Sequence, residues 1–333
     1  MADHKVDVLI VGAGLAGLTA AQALQGTGHS VAVVDKGRSV GGRLATRRVG
    51  GGLADHGAQY FTVRTPQFQR WVDKWEAEGL VYVWSSGFST GSLTLNDERG
   101  HARYAVSGGM NRLAKYLAQG LSSIETNVRL ARIERADDEW LTVDSEGTER
   151  RARTLLLTPP VPQSLALLDE GGTLLTPTDR ASLEAIRYAP CIAAMFHYEG
   201  DLSIPNPGAV QRPAETIPWI ADNHMKGISP DARVVTLHAD PSYSRRYWDT
   251  ADVEIVETMQ SYLDPYLTES SRLVEVQVKR WLYSFPETIY PERVLVAEDL
   301  PGLLFAGDAF GGPRVEGAFL SGLAAGEYIK KKE

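Results

Sequence analysis

One cysteine, Cys191, serves the whole 333-residue chain. A lone thiol excludes internal disulfides and any metal cluster built from cysteine pairs. Long apolar runs are missing too: the stretch at 8–11 stops at Gly12, far short of the ~18–20 residues that cross a bilayer. Basic residues are in the minority, with 34 Lys and Arg against 42 Asp and Glu, and the net charge of −8 argues against binding polymeric phosphate. The opening residues are polar and a strand pattern follows at once, so no secretory leader is expected. His4, His29, His101, His197 and His224 show no ligand spacing, and no metal is assigned. Repeats, low-complexity tracts and linkers are absent. The expectation is a cytoplasmic protein, monomeric or weakly dimeric, with no nucleic-acid or membrane partner. Length suggests about two domains of ordinary globular composition. Glycine is plentiful, with 32 residues, many of them clustered.

The first cluster sits in a βαβ pattern. Residues 6–11 are mostly apolar and rich in β-branched side chains, as a buried strand requires. They run into Gly12, Gly14 and Gly17 and an Ala/Leu-rich helix reaching about Gln25; a second strand at 30–34 ends in Asp35. Thr65 and Pro66 predict an N-cap and first helical position, with Phe68, Trp71, Val72 and Trp75 as a packing face. Ser107-Gly108-Gly109-Met110 leads another helix to about Leu121, and strands are expected at 128–135, 139–144 and 152–157. From Thr158-Pro159-Pro160 the prolines multiply and the pattern becomes mixed α+β, with strands at 192–198 and 234–237 and a helix at 252–263. The last forty residues return to the character of the first forty, with a strand at 303–306, Gly307-Asp308, a glycine-rich loop and an Ala/Gly-rich helix to Lys330.

Gly12, Gly14 and Gly17 carry the spacing of a dinucleotide turn between strand and helix. The first glycine permits the tight turn, the second lets backbone approach a pyrophosphate, and the third brings helix onto strand. The helix N-terminus offers free N–H groups and a positive dipole end to the phosphates. Asp35 can accept ribose hydroxyls and would repel a 2′-phosphate, leaving NAD or FAD. Two further clusters, Gly41-Gly42-Arg43 and Gly307-Asp308 with Arg314-Val315-Glu316-Gly317-Ala318, suit the longer FAD. An acid after a late strand can hold ribityl hydroxyls, and a second helix N-terminus can face the ring edge where charge develops on reduction.

This three-part pattern resembles the FAD-containing amine oxidase superfamily. The fold it implies is α/β: a Rossmann-like FAD-binding domain of the glutathione-reductase type, with an inserted α+β substrate domain. The FAD-binding domain would be discontinuous, at 1–64, 105–162 and 286–333, with 65–104 and 163–285 forming the substrate domain. The segments Asp55-His56-Gly57-Ala58-Gln59-Tyr60-Phe61-Thr62 and Lys279-Arg280-Trp281-Leu282-Tyr283, with the ending from Arg314 to Ala318, are similar to renalases of bacterial type. The resemblance implies non-covalent FAD. Around the first turn its binding residues would be Gly12, Gly14, Leu15, Ala16, Gly17, Asp35 and Lys36. Gly42, Arg43, Ala58, Gln59, Tyr60 and Val128 would follow, then Thr158 and Pro159. Gly307, Asp308, Arg314, Val315, Glu316 and Ala318 complete the set.

As a family, bacterial renalases oxidise misreduced 2- and 6-dihydro isomers of NAD(P)H to NAD(P)+, with O2 reoxidising the flavin and giving H2O2. The chain's own residues point the same way. A second dinucleotide fingerprint is missing, so a small dinucleotide substrate would have to reach the flavin through the substrate domain. The stretch 190–196, where amine oxidases commonly carry a lysine near the flavin, has none. A dihydropyridine needs no such base, because its ring nitrogen drives hydride loss, and the protein's main task is positioning. Tyr60, His238, Trp281 and Tyr283 are the substrate-binding candidates, and no catalytic residue is assigned. Trp281 and Tyr283 share a strand face and Arg280 points away from it. Arg245-Arg246 could attract phosphates but reads more simply as a solvated pair, and Cys191 reads as a small buried hydrophobe. A flavin amine or amino-acid oxidase, a redox-sensing flavoprotein without turnover, and an ordinary NADH dehydrogenase remain open readings.

Overall fold

The strand Lys5–Val11 is buried from Val8 onward, because it lies in the middle of a parallel sheet and both its faces are covered. This is a computed structural model describing residues 5–90 and 101–332; His4 and residues 91–100 of the expected 65–104 segment lie outside them. Two compact units divide the chain. The first comprises the residues up to Gly42, Ala114–Tyr188 and those from Phe285 onward; the second comprises Arg43–Leu113 and Ala189–Ser284.

In the first unit Lys5–Val11 pairs in parallel with Val31–Val34 on one side and Glu149–Leu157 on the other. Ile124–Glu125 and Leu303–Phe305 extend the parallel array outward. Numbered along the chain, these five strands run 3-2-1-4-5, the doubly wound order with its switch point between Lys5–Val11 and Glu149–Leu157. Leu130–Ala136 and Glu139–Asp144 join Glu149–Leu157 as an antiparallel meander, and Leu295–Val296 closes the far edge. The helix Leu15–Ala23 packs on the long C-terminal helix Arg314–Lys331. Small residues permit this closeness: a Cβ on Gly322 would stand 2.1 Å from the Ala16 carbonyl oxygen, and one on Gly326 2.7 Å from the Ala23 Cβ. The alanine- and glycine-rich composition of the last helix is thereby a packing requirement.

The second unit is built on an antiparallel sheet ordered Ala209–Gln211, Trp219–Asp222, Arg233–His238, Tyr188–Glu199 and Arg272–Pro286. One sheet face packs Ile192, Ala194, Phe196, Val235 and Leu237 against Tyr243 of the helix Pro241–Arg246 and Ile255 and Met259 of the helix Asp252–Ser261. The hairpin Thr46–Val49 and Gly52–Asp55 packs elsewhere on the sheet, with Val49 and Ala54 meeting Met195 and Val234. Pro66–Ala77 starts as expected, the Thr65 hydroxyl accepting from the Phe68 N–H, and it buries Phe68, Val72 and Trp75.

The α/β class with a Rossmann-like unit is borne out. Several element ends differ from expectation. The first helix stops at Ala23, the one expected to reach 121 spans Asn111–Ala118, and that at 252 ends at Ser261. Residues 43–64, expected with the FAD-binding segments, pack with the second unit, as do 105–113, while 163–188 pack with the first. The hairpin at 46–55 explains the first shift. Its backbone is tied to Asn223 and Ser229, which no local pattern reveals.

Candidate functional site

In the first unit, residues separated by up to three hundred positions gather at the carboxyl ends of the parallel strands. Gly12 follows Lys5–Val11, Asp35 follows Val31–Val34, Val128 follows Ile124–Glu125, Thr158 follows Glu149–Leu157, and Gly307 with Asp308 follows Leu303–Phe305. This is the edge, at the switch point, where doubly wound sheets bind ligands. Gly12 has φ +102°, and a Cβ there would collide with the Thr158 hydroxyl at 2.4 Å. That hydroxyl in turn donates to the Val11 carbonyl at 2.8 Å. Asp35 accepts the Ala13 N–H at 2.7 Å and the Gly37 N–H at 2.6 Å, one on each oxygen, which leaves lone pairs for sugar hydroxyls. The Val128 N–H donates to the Asp35 carbonyl at 2.9 Å, and Lys36 reaches the Gln163 amide oxygen.

The three glycines differ in what demands them. A Cβ on Gly17 would lie 2.0 Å from the Gly12 carbonyl oxygen, whereas one on Gly14 meets nothing within 4 Å. Protein packing therefore explains Gly17 but not Gly14, whose bare backbone faces open space. Gly14 caps the helix Leu15–Ala23 without a side-chain hydrogen bond, so the N–H groups of Leu15, Ala16 and Gly17 point outward for an anion. Gly42 stands over this turn, its Cβ direction meeting the Gly14 Cα at 3.5 Å. The C-terminal helix repeats the device: a Cβ on Gly317 would lie 1.8 Å from the Gly312 oxygen, while Gly312 itself faces nothing within 4 Å. Its first turn carries Arg314 at φ +78°, then buried Val315 and Glu316, then half-buried Ala318. Pro159 lies beside Thr158 at the same edge. An open glycine turn, an acid with spare lone pairs and two uncapped helix starts fit a dinucleotide cofactor.

Arg43, Ala58, Gln59 and Tyr60 belong to the second unit, where the strand ladder lines up a second group. Gln211, Trp219, His238 and Ala193 are successive cross-strand partners, so they form one row on the sheet face opposite the Ile192 and Leu237 core. The Gln59 amide donates to the Asp55 and Gly57 carbonyls and lies 3.4 Å from His238 Nε2. Tyr60 packs on Trp219 and Phe88 and takes a hydrogen bond from Gln211 at 3.4 Å. Ala58 is held by its N–H to the Arg43 carbonyl, and the Arg43 guanidinium donates to the carbonyls of Tyr283 and Ser284.

On the strand Arg272–Pro286 the residues Gln277, Lys279, Trp281 and Tyr283 alternate onto one face. Trp281 donates its indole N–H to the His56 carbonyl at 2.8 Å and stacks on the His56 ring at 5.3 Å. Arg280 turns the other way, to the carbonyls of Trp248 and Thr250 and the carboxylate of Asp252, as alternation requires. Arg245 and Arg246 are exposed on the helix that covers the opposite sheet face.

Burial holds both histidines neutral. It pulls His56 down to about 3, helped by the positive charges of Arg47 and Lys279, and His238 down to about 4, with Lys226 adding to the effect. Cys191 is buried, which pushes its thiol up to about 12 and leaves it unreactive.

Beneath this face lies an ion pair that sequence reasoning missed. Lys226 and Asp55 are both fully buried, with Nζ and Oδ2 2.6 Å apart. Lys226 also donates to the Gln59 carbonyl, while Asp55 Oδ1 accepts from the Thr46 hydroxyl and the Met110 N–H. The pair thus braces the stretch from Asp55 to Gln59. Lys226 sits in a polar turn with no periodic signal; Asp55, ending a short apolar strand, was the only hint. Among the described residues no cluster of His, Cys, Asp or Glu suits a metal, and no helix is long and apolar enough to cross a membrane.

Comparison with known proteins adds three findings. A family model described as an NAD(P)-binding Rossmann-like domain matches residues 10–75, and one described as flavin containing amine oxidoreductase matches residues 83–330. The renalase of Mus musculus is 23% identical over 342 residues, covering 97% of this chain and 98% of that protein. Solved structures of the same fold include putrescine oxidase bound to putrescine (TM-score 0.69, 16% identity, covering 98% and 99% of the two chains). Cyclohexylamine oxidase from Brevibacterium oxydans IH-35A is another (TM-score 0.73, 14% identity, again 98% and 99%).

Proposed function

The chain belongs to the flavin-containing amine oxidoreductase family, and from that premise we propose that it oxidises 2- or 6-dihydro isomers of NAD(P)H to NAD(P)+. FAD, bound without a covalent link, supplies the two-electron acceptor, which O2 restores with release of H2O2. The reading assigns FAD to the glycine turns, Asp35, Thr158 and Asp308 of the first unit. It assigns the substrate to Tyr60, His238, Trp281 and Tyr283 of the second. Tyr60 and Trp281 offer flat faces to a nicotinamide ring or a base.

The observation that carries the choice of substrate is that the basic groups around Gln59, namely His56, His238 and Lys226, are not available as bases. His56 and His238 are neutral near pH 7 but depressed far below the range of a base working there, and Lys226 is committed to Asp55. A dihydropyridine asks for neither base nor acid, since loss of hydride yields an aromatic cation directly. The residues then need only hold the ring and exclude alternatives. Similarity to a renalase over nearly the whole chain supports the same choice.

The test is anaerobic mixing of the oxidised holoprotein with 6-dihydro-NAD, 2-dihydro-NAD, NADH, and panels of amines and amino acids, following loss of visible flavin absorbance. Rapid bleaching by a dihydro isomer is expected. Bleaching by amines, amino acids or NADH, with none by the isomers, refutes the reading.

A further inference from the structure

Several cations in the second unit have an acid, while others, such as Arg103, Arg112 and Arg212, donate to carbonyl or hydroxyl oxygens. Arg233 pairs with Asp201 and Asp222, Arg272 with Glu199, Arg280 with Asp252 and Lys226 with Asp55. Arg47 and Lys279 are half-buried and lie on the hairpin and the strand of one sheet region. Among the described residues neither has a carboxylate partner: Arg47 donates to the neutral Gln277 amide at 3.2 Å, and the Lys279 ammonium stands 5.1 Å from the centre of the Trp281 ring. Both are only half-buried and so open to solvent on one side. Each raises the cost of the other. Burial and the nearby Arg47 charge together lower the Lys279 pKa, and both cations push His56 toward neutrality.

Two like charges held close, partly desolvated and uncompensated, are unusual in a chain whose acids outnumber its bases by 42 to 34. The acid on this strand face, Glu275, is engaged by the Gly50 N–H and the Gln277 amide. The strand fixes the arrangement, because Gln277, Lys279, Trp281 and Tyr283 share one face and Gln277 anchors Arg47 alongside it. Two positive charges beside a half-buried indole match a dianion that carries a flat ring nearby.

We propose that Arg47 and Lys279 form the subsite for the pyrophosphate of a dinucleotide substrate, with Trp281 as the adjoining stacking surface. This rests on the dihydronicotinamide reading above and supplies it with the phosphate-binding group that reading needs. Arg47 presents a planar fork of donors and Lys279 a point charge, a pairing suited to adjacent phosphates. The exposed Arg245 and Arg246, on the helix side of the sheet, are not part of it.

The probe is ADP-ribose, which keeps the pyrophosphate and lacks the nicotinamide, titrated calorimetrically into flavin-loaded protein. Binding by the wild type is expected, weakened roughly 10- to 100-fold in Arg47→Gln and in Lys279→Gln, with partial recovery in Arg47→Lys and Lys279→Arg. In parallel, kcat/KM for 6-dihydro-NAD should fall at least ~10-fold further than kcat/KM for the phosphate-free 6-dihydronicotinamide riboside. No binding by the wild type, or equal binding by the Gln variants, overturns the subsite. Wild-type binding lost in the variants, with no oxidation of any dihydronicotinamide, leaves the subsite standing and refutes the reaction instead.

Discussion

Replacing Gly14 and Gly17 separately by alanine distinguishes a glycine kept for a ligand from one kept for packing. Gly14 has φ −77° and ψ −175°, a conformation alanine adopts freely, and its Cβ would meet nothing within 4 Å. At an N-cap, alanine costs about 0.5 kcal/mol relative to glycine, while the stiffer unfolded chain returns about the same. The apoprotein stability of Gly14→Ala should therefore stay within about 0.5 kcal/mol of wild type. With FAD assigned to this turn as proposed, the same methyl would intrude on its phosphates, and an overpacking cost of about 1–3 kcal/mol corresponds to roughly 5- to 150-fold weaker FAD binding. Gly17→Ala inverts the pattern. Its Cβ would stand 2.0 Å from a backbone oxygen that cannot turn aside, so the helix must shift. The apoprotein itself should lose about 3 kcal/mol, against a helix-propensity gain of about 1 kcal/mol. Urea denaturation of the two apoproteins and fluorescence titration with FAD measure both quantities. Wild-type FAD affinity in Gly14→Ala, or apoprotein losses equal in the two variants, refutes the assignment of Gly14 to the ligand.

Lys226→Met leaves the Asp55 carboxylate and the Gln59 carbonyl buried without their donor, at a cost of about 3–5 kcal/mol. With an unfolding entropy of about 2.1 cal/mol/K per residue, the melting temperature should drop by about 4–7 °C if the chain unfolds as one. Adding Asp55→Asn should recover part of the loss, since no charge then remains buried; a loss under about 1 kcal/mol in the single variant contradicts the bracing role. The histidines set a pH dependence. Because the folded state depresses His56 to about 3 and His238 to about 4, the unfolded chain binds protons near pH 6.5 that the folded chain refuses. Stability should therefore be complete above about pH 7.5 and fall as the pH drops to 5, by about 1–2 kcal/mol per histidine. His56→Gln and His238→Gln should each flatten that slope in urea denaturation curves taken from pH 5 to 8, and an unchanged slope in both contradicts their neutral burial.

Local sequence carried much of the first unit and one helix start of the second. The glycine turn, the acid after the second strand and the Thr65–Pro66 helix start depend on neighbours a few residues away, so residue type and spacing report them directly. The same holds for the strand face shared by Trp281 and Tyr283, which follows from a period of two. Lys279 lies on that face and could have been read from it, whereas Arg47 could not, because its place beside Lys279 depends on how the hairpin at 46–55 packs. Lys226 left no trace at all. Its burial depends on Asp55, 171 positions earlier, and a lysine in a polar turn looks solvated until the chain is folded.

By itself, the sequence determined the dinucleotide turn, the parallel-strand architecture and the cofactor class, because these rest on short-range backbone geometry and hydrophobic period. Only the tertiary structure decided which of three glycines is demanded by packing, which cations lack an acid and which histidines are held neutral. Those properties arise from desolvation and from charges brought together across long chain separations, and neither has a signature in local residue order.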